Sequence, residues 1–554
     1  MTIPKSQCAV QLVGPDELVL NESKEVFRPG PFQILAQVEV VGLCFSDLKL
    51  LKQFSSHVRK SRVVSGIEQK VLAEVPSYVP GDAPTVPGHE TVVRIAAVGE
   101  GVEDFKVGGR YLVQTDYRWL KTATTNGAFG YNFEGALQEY VLMDTRVITS
   151  PEGESMLLPV GEELSGSAIA LVEPWACVED AYVSTERTRI KKGGRMLVAS
   201  DGDIPSEGLT HLFERFGKPG SITWLSPSQP PAQFGIHIEN VNDISALKDT
   251  AFDDVIYFGS DPKTVETLLG KVALKGILNV AQCGGRFGRN IVTMIGRVHY
   301  GGIRIVGTTG SDPVEAMEVI PPTDEIRPGD KINVIGAGGP MGMMHVIRNI
   351  CQGVEGVSVY ASDVDDNRLE TLSRIAAPLA QNSGVAYETF NPTKQETSEK
   401  FDYTAIMAPI PALVAASIHG AAQKGLINIF AGIPATVSGE IDLDTYIEKR
   451  LYFIGTSGST LDDMKRMLEK AESGRLDTNV SVAAVSGLDG AVEGIRAVEN
   501  RTIAGKIIVY PACKGLGLTR LEELNEKLPQ VGAKLKNGLW TNAAEKTLLA
   551  MYEN

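Results

Sequence analysis

The chain has 554 residues, 43% hydrophobic and 22% charged, with 57 glycines and a formal net charge of −15. That length exceeds one hydrophobic core and predicts two to four domains, while an acidic balance spread along the chain argues against nucleic acid or a membrane surface as partner. The N-terminal stretch MTIPKSQCAVQLVGPDELVL has no basic-then-apolar signal pattern, no apolar run approaches the roughly 18 residues of a membrane span, and the six cysteines show no paired spacing, so a reducing, cytoplasmic setting is expected.

Residues 1–150 predict a β-rich domain: FQILAQVEVVGLC, ETVVRIAAVGEGV, RYLVQTDY and LQEYVLM are short β-rich runs between Gly, Pro and Asp turns. The first ends at Cys44, Ser46 and Asp47, and the second opens on adjacent His89 and Glu90 after a Pro-Gly turn. Neighbours in an extended strand point to opposite faces, so Glu90 shares a site with His89 only if the backbone bends at that turn. Ser46, two residues from Cys44, is expected to face the same side of an extended segment. Between them lies KQFSSHVRKSRVVSGIEQKVLAEVPSYV, whose His57 reads as a loop histidine. Tyr117, Arg118, Trp119, Phe133 and Glu134 follow as candidate pocket residues. SGSAIALVEPWACVEDAYVSTERT then carries apolar residues at helical spacing, with Glu173 and, one turn on, Cys177 as a packing residue.

From about residue 191 strands and helices alternate, the pattern of parallel α/β architecture. This part repeats. FDDVIYFGSDPKTVETLLGKVALKGILNV parallels FDYTAIMAPIPALVAASIHGAAQKGLINI, with the Lys-Gly step at Lys275 and again at Lys424; IRIVGTTGSD parallels LYFIGTSGST, placing Gly307 and Gly455 148 positions apart. A repeat this long is a duplicated domain rather than a solenoid unit.

Only the second copy carries a phosphate loop. KINVIGAGGPMGMMHVIRNI runs from a buried strand through Gly336, Gly338, Gly339, Pro340, Met341 and Gly342 into a helix, where the backbone can approach a pyrophosphate and the helix N-terminus faces its charge. The next strand ends at Asp363, placed to accept from an adenosine ribose and to repel a 2′-phosphate, so NAD is favoured over NADP; Arg368 is placed to lie over the adenine. In the first copy the same turn holds Asp201, Asp203 and Glu207, which disfavour a pyrophosphate. It reads as a copy that does not bind cofactor. The tail from 471 predicts a returning strand and short amphipathic helices.

Taken in order, Gly-Leu-Cys-x-Ser-Asp, Gly-His-Glu with VVRIAAVGEGVEDFKVGGRY, GYNFEGALQEYVLM, Glu-Pro-x-x-Cys-Val, the Gly-rich turn and GKIIVYP resemble the zinc-dependent medium-chain dehydrogenase/reductase family. Glu173 in its Glu-Pro context is similar to the polyol and threonine dehydrogenase branch. The resemblance implies a GroES-like catalytic domain over 1–190, a degenerate Rossmann-type domain over 191–325, an NAD-binding Rossmann domain over 326–470 and a return over 471–554, the Rossmann-type domains being tandem doubly wound parallel sheets. It implies one catalytic Zn2+ on Cys44 and His89, with Glu173 binding directly or through water, and Glu90 either bound or held behind the ligands. Ser46 would pass the substrate's proton, and no cysteine between 100 and 140 leaves a second, structural zinc without ligands. The expected activity is NAD-dependent interconversion of a secondary alcohol and a ketone on a small-molecule polyol, sugar or sugar phosphate; the oligomeric state stays open between a homo-oligomer and an extra domain that replaces a subunit contact. The alternatives are a net non-redox lyase or epimerase reaction that uses NAD transiently, or a dinucleotide-sensing scaffold. Cys44 and His89 are about twice as far apart as is usual in the family, because of the segment between them.

Overall fold

The computed structural model describes residues 3–231, 234–456 and 458–552. The chain folds into two compact units, one built from residues up to Cys177 together with those from Ser459 on, the other from Val178–Gly458. Among the described residues no helix is long and apolar enough to cross a membrane.

The first unit is organised by a sheet of eight strands. Its central strand, Gln33–Gly42, is rich in Val, Ile and Leu and is buried on both faces, as β-branched runs favour. It pairs antiparallel with Glu90–Val98, setting Gly42 opposite Glu90. On its other edge it meets Tyr140–Asp144 and, at its end, Lys506–Val509. The C-terminal strand Lys506–Val509 is thereby inserted beside a strand more than 460 positions earlier.

The second unit holds two six-stranded parallel sheets of one topology. The first runs in the order His237–Asn240, Ser221–Leu225, Arg195–Ser200, Phe252–Phe258, Val272–Ala281, Arg304–Thr308. The second repeats it with Ala386–Phe390, Ser358–Ser362, Lys331–Ile335, Phe401–Ile406, Ala421–Ile429, Tyr452–Ile454. In each sheet the first strand in sequence lies at the centre and the order reverses there, the doubly wound arrangement whose crevice accepts dinucleotides. The Lys-Gly step seen in the sequence is the same irregularity in both copies: Lys275 and Lys424 take left-handed backbone, φ +58° and +60°, and the register slips beside each. One hydrophobic core runs through both copies, from Leu197 and Leu278 to Ile427 and Phe453.

The segments leading into the two copies also meet, through a bridge between Thr185 and Thr323. Glu186 there accepts from Arg304, with both distances 2.7 Å, and Asp324 lies fully buried beside it with neither oxygen meeting a protein donor. Burial, and then the Glu186 charge, push the Asp324 carboxyl up to about 9, so it keeps a proton directed at Glu186. The folded chain therefore holds this proton from about pH 4, where an unfolded aspartate loses it, to about pH 9, and stability falls as pH rises through that window. Asp324→Asn is expected to abolish that fall, so its gain in unfolding midpoint over the parent should be larger at about pH 8.5 than at about pH 4.5; equal gains at the two pH values would contradict the buried proton.

Candidate functional site

Cys44 ends the loop after the central strand and is the N-cap of the helix Phe45–Gln53. Asp47, at the third helical position, accepts from the Cys44 N–H through Oδ2 at 3.2 Å, a cap of the kind that satisfies free N–H groups at helix starts. Its other oxygen stands 3.0 Å from Nδ1 of His89. One buried carboxylate thus fixes both the turn that carries Cys44 and the ring of His89. With Nδ1 engaged, Nε2 of His89 faces Ser46 Oγ at 3.1 Å, and the same hydroxyl lies 3.1 Å from Cys44 Sγ as donor. Burial works against a charged imidazole here, but Asp47, Tyr131 and Cys44 outweigh it and hold His89 well above its ordinary value.

The bend required before Glu90 is supplied by Gly88, whose φ of +95° is left-handed backbone. Thr91 onward then continues the strand Glu90–Val98 against Gln33–Gly42, with register shifts along the pair. Glu90 is fully buried. Its Oε1 pairs with Lys506, which also donates to the Leu43 carbonyl at 3.4 Å, while Oε2 is buried with no hydrogen-bond donor. A Cβ in place of Gly42 would collide with that oxygen, so glycine is needed opposite the carboxylate. Burial opposes the Lys506 charge, yet Glu90, Cys44 and Glu173 hold it above the usual lysine range.

Ligand atoms of Cys44, His89 and Glu90 lie within 4.8 Å of one another. Glu173 stands outside that group, on the helix Val172–Val183. Burial, offset by His89 and reinforced by Glu90, pushes its carboxyl up to about 7, which places it in their electrostatic neighbourhood. Ser46 departs from the extended segment expected from sequence: it lies in the first turn of a helix, and its hydroxyl reaches Cys44 Sγ from there.

The segment between Cys44 and His89 folds against this cluster. His57 is buried and stacks on Tyr131 with centroids 5.2 Å apart, and Tyr131 stands 5.7 Å from the His89 ring. Burial and the neighbouring Arg59 depress His57 to about 4, so it is neutral near pH 7. The Arg59 guanidinium sits 5.5 Å over the Tyr131 ring, with only a loose 3.9 Å pair to Asp116. Arg118 also flanks Asp116, at 3.4 Å. Of the other candidate pocket residues, Tyr117 and Phe133 are buried with edge-to-face rings, and Glu134 is paired with Lys24 at 2.9 Å.

In the second unit the Gly-rich turn follows the strand Lys331–Ile335. Gly336 has φ +80°, Gly338 N–H donates to Asp363 Oδ2 at 2.9 Å, Gly339 is the N-cap, and Pro340 opens the helix Pro340–Cys351, where its fixed φ suits the first turn. Met341 follows in that turn, and a Cβ on Gly342 would lie 2.7 Å from the Ala337 backbone, so glycine lets the helix close onto the loop. Asp363 stands just after the strand Ser358–Ser362, and Arg368 lies in the helix Asp366–Ser383.

Residues 30–152 match the alcohol dehydrogenase GroES-like domain. The chain is 25% identical over 251 residues to mannitol-1-phosphate 5-dehydrogenase of Aliivibrio fischeri, covering 41% of this chain and 58% of that protein. It is 24% identical over 310 residues to sorbitol dehydrogenase of Bacillus subtilis, covering 50% of this chain and 76% of that one. The chain thus carries an alcohol dehydrogenase GroES-like domain and is similar over part of its length to polyol dehydrogenases. It spans less than three fifths of the length of several curated relatives it matches. The fold is also that of 2R,3R-butanediol dehydrogenase from Bacillus subtilis, with a TM-score of 0.51 at 16% identity over 91% of this chain and 100% of that one.

Two residues that sequence reasoning gave no role, Asp47 and Lys506, hold the cluster in place. Asp47 was visible as an acid three positions after Cys44; Lys506 was visible as a lysine opening an otherwise apolar strand. Lys506→Met is expected to strand the buried Glu90 charge and destabilise the chain by about 3–5 kcal/mol, with much of the loss recovered in Lys506→Met/Glu90→Gln. Chemical denaturation of the four proteins checks this; additive losses would show that the two side chains act independently.

Proposed function

We propose that the chain is a zinc- and NAD-dependent oxidoreductase that interconverts a secondary alcohol and a ketone on a polyol, sugar or sugar phosphate. The observation that carries this reading is the grouping of a thiol, an imidazole and a carboxylate within 4.8 Å, with one Glu90 oxygen buried and lacking any donor. Sulfur, nitrogen and carboxylate oxygen are zinc's preferred donors. The Asp47 contact that fixes the outer nitrogen of His89 is the support such a ligand needs. Cys44, His89 and Glu90 would hold the ion, with Glu173 near enough to bias its charge.

Zinc there would supply Lewis-acid polarisation of the substrate oxygen, and NAD on the second Rossmann copy would take the hydride. The chain's own contribution is placement and proton handling. Ser46 Oγ, in reach of both Cys44 Sγ and His89 Nε2, is the group that holds the proton leaving the substrate hydroxyl. The turn Gly336–Gly342 offers its backbone to the pyrophosphate, and the Asp363 carboxylate, beside the Gly338 N–H, favours a free ribose hydroxyl over a 2′-phosphate.

Freshly purified protein is expected to contain about one zinc per chain by elemental analysis, the single open-site ion of a catalytic centre. Cys44→Ala should lose both the metal and turnover while NADH binding, followed by fluorescence, stays within about twofold because the dinucleotide turn is in another domain. Metal-free protein with full activity would sink the reading.

Arg59 extends it to the substrate. Its guanidinium lies over Tyr131, next to His89, and is only loosely paired, which leaves donors for an anionic group on the substrate. A charge-assisted contact of about 1.5–3 kcal/mol corresponds to roughly 10- to 100-fold in binding. Arg59→Ala is therefore expected to raise KM by that factor for a phosphorylated polyol and to leave KM for the unphosphorylated one nearly unchanged; equal effects on both would refute a phosphate contact.

A further inference from the structure

The first Rossmann-type copy lacks a Gly-rich turn, yet it shares a core with the second. How the two copies meet explains what it is for. The short strand Ile291–Thr293 pairs antiparallel with Gly439–Ile441, setting Ile291 opposite Ile441, Val292 opposite Glu440 and Thr293 opposite Gly439. At the repeat spacing of 148, these are one element seen twice: position 291 corresponds to 439, and 293 to 441. Each first residue faces the other copy's last, which is the register produced by a twofold axis.

The same reciprocity recurs away from that ribbon. A Cβ on Gly307 would lie 2.6 Å from the Ile447 side chain, and a Cβ on Gly455 would lie 3.0 Å from the His299 backbone. Gly307 corresponds to Gly455 and His299 to Ile447, so this too is one contact made twice. Here the sheet edges Arg304–Thr308 and Tyr452–Ile454 lie side by side. An interface whose residues contact each other's counterparts is isologous, the form taken by two identical subunits.

A second, independent feature closes the first copy to nucleotide. Asp201, in the turn after the strand Arg195–Ser200, accepts from the Tyr257 hydroxyl at 2.8 and 2.7 Å and from the N–H groups of Ser260 and Asp261 at 3.0 Å. Its own carboxylate takes the donors at the mouth of this sheet, and its charge repels a phosphate.

We infer that the first copy is a built-in partner subunit: it occupies, across a pseudo-twofold axis within one chain, the place a second chain's nucleotide domain would take, and it binds no dinucleotide itself. One chain then carries one dinucleotide site, and the edge formed by Ile291–Thr293 and Gly439–Ile441 is sealed within the chain rather than shared between chains. The nucleotide count rests on the reading of the second copy given above; the pairing of the copies does not.

The test is a full-length Val292→Cys/Glu440→Cys variant, oxidised at several protein concentrations and run on a non-reducing denaturing gel beside each single variant. The expected result is a faster-migrating single chain whose yield is independent of concentration and which neither single variant forms. Covalent dimers formed only by the double variant would overturn the proposal by showing that the edge joins different chains, and failure to cross-link would overturn the register. Titration of the uncross-linked parent with NADH should then give one site per chain. Two sites would overturn the closure of the first copy. No binding at all would count against the proposed NAD-dependent activity, while an intrachain cross-link would still establish the pseudo-twofold pairing.

Discussion

The buried ion pair between Lys506 and Glu90 is the constraint on which the candidate site depends. The two residues are 416 positions apart, and neither tolerates burial alone, since an unpaired charge in the interior costs several kcal/mol. Their union needs the C-terminal strand Lys506–Val509 to lie beside the strand Gln33–Gly42, and it needs a glycine at position 42 to make room for the carboxylate. The first unit can be completed only when the chain has returned from the second. The pair also leaves the second Glu90 oxygen without a donor, and the carboxylate so held has an oxygen within 4.8 Å of the Cys44 and His89 ligand atoms.

Asp47 applies the same economy on the other side. A helix start has N–H groups in need of an acceptor, and a metal-facing or proton-carrying imidazole needs its far nitrogen fixed. One carboxylate satisfies both. The positions of Cys44 and His89 are therefore coupled: a shift in the helix Phe45–Gln53 would move the thiol and turn the ring together.

Much of this was legible in the sequence, and what was hidden was hidden for a physical reason. Strands alternating with helices, and a Lys-Gly step repeated at 275 and 424, are local patterns, so the paired parallel sheets follow from composition along the chain. The order of Cys44, His89 and Glu90 likewise stands in the sequence, and the glycine before the His-Glu pair marks the bend that brings both side chains to one place. The partner of Glu90 could not be read, because a pairing across 416 positions leaves no periodic trace. Ser46 was assigned an extended backbone because a two-residue spacing suits a strand; the capping acid at 47 turns that segment into a helix. Glu173, on a helix that the sequence spacing already marks, is not among the three residues whose ligand atoms lie within 4.8 Å of one another, but it feels the charges of His89 and Glu90. The segment 52–79 read as an insertion, and nothing in its composition showed that His57 and Arg59 would both meet one tyrosine, Tyr131.

The two Rossmann-type copies differ less in fold than in what satisfies their turns. In the second, the Gly338 N–H donates to Oδ2 of the strand-end acid Asp363, whose Oδ1 accepts from the Asp365 N–H. In the first, Asp201 gathers a hydroxyl and two backbone N–H groups onto a single carboxylate. Buried or half-buried donors must find an acceptor. Both turns carry an acceptor within the chain; the second differs in being lined by Gly336, Gly338, Gly339 and Gly342, where the first holds Asp201 and Asp203. The first copy keeps the strand order, the lysine bulge and the edge that meets its twin, since these depend on packing; its turn is free to differ because none of that packing passes through it.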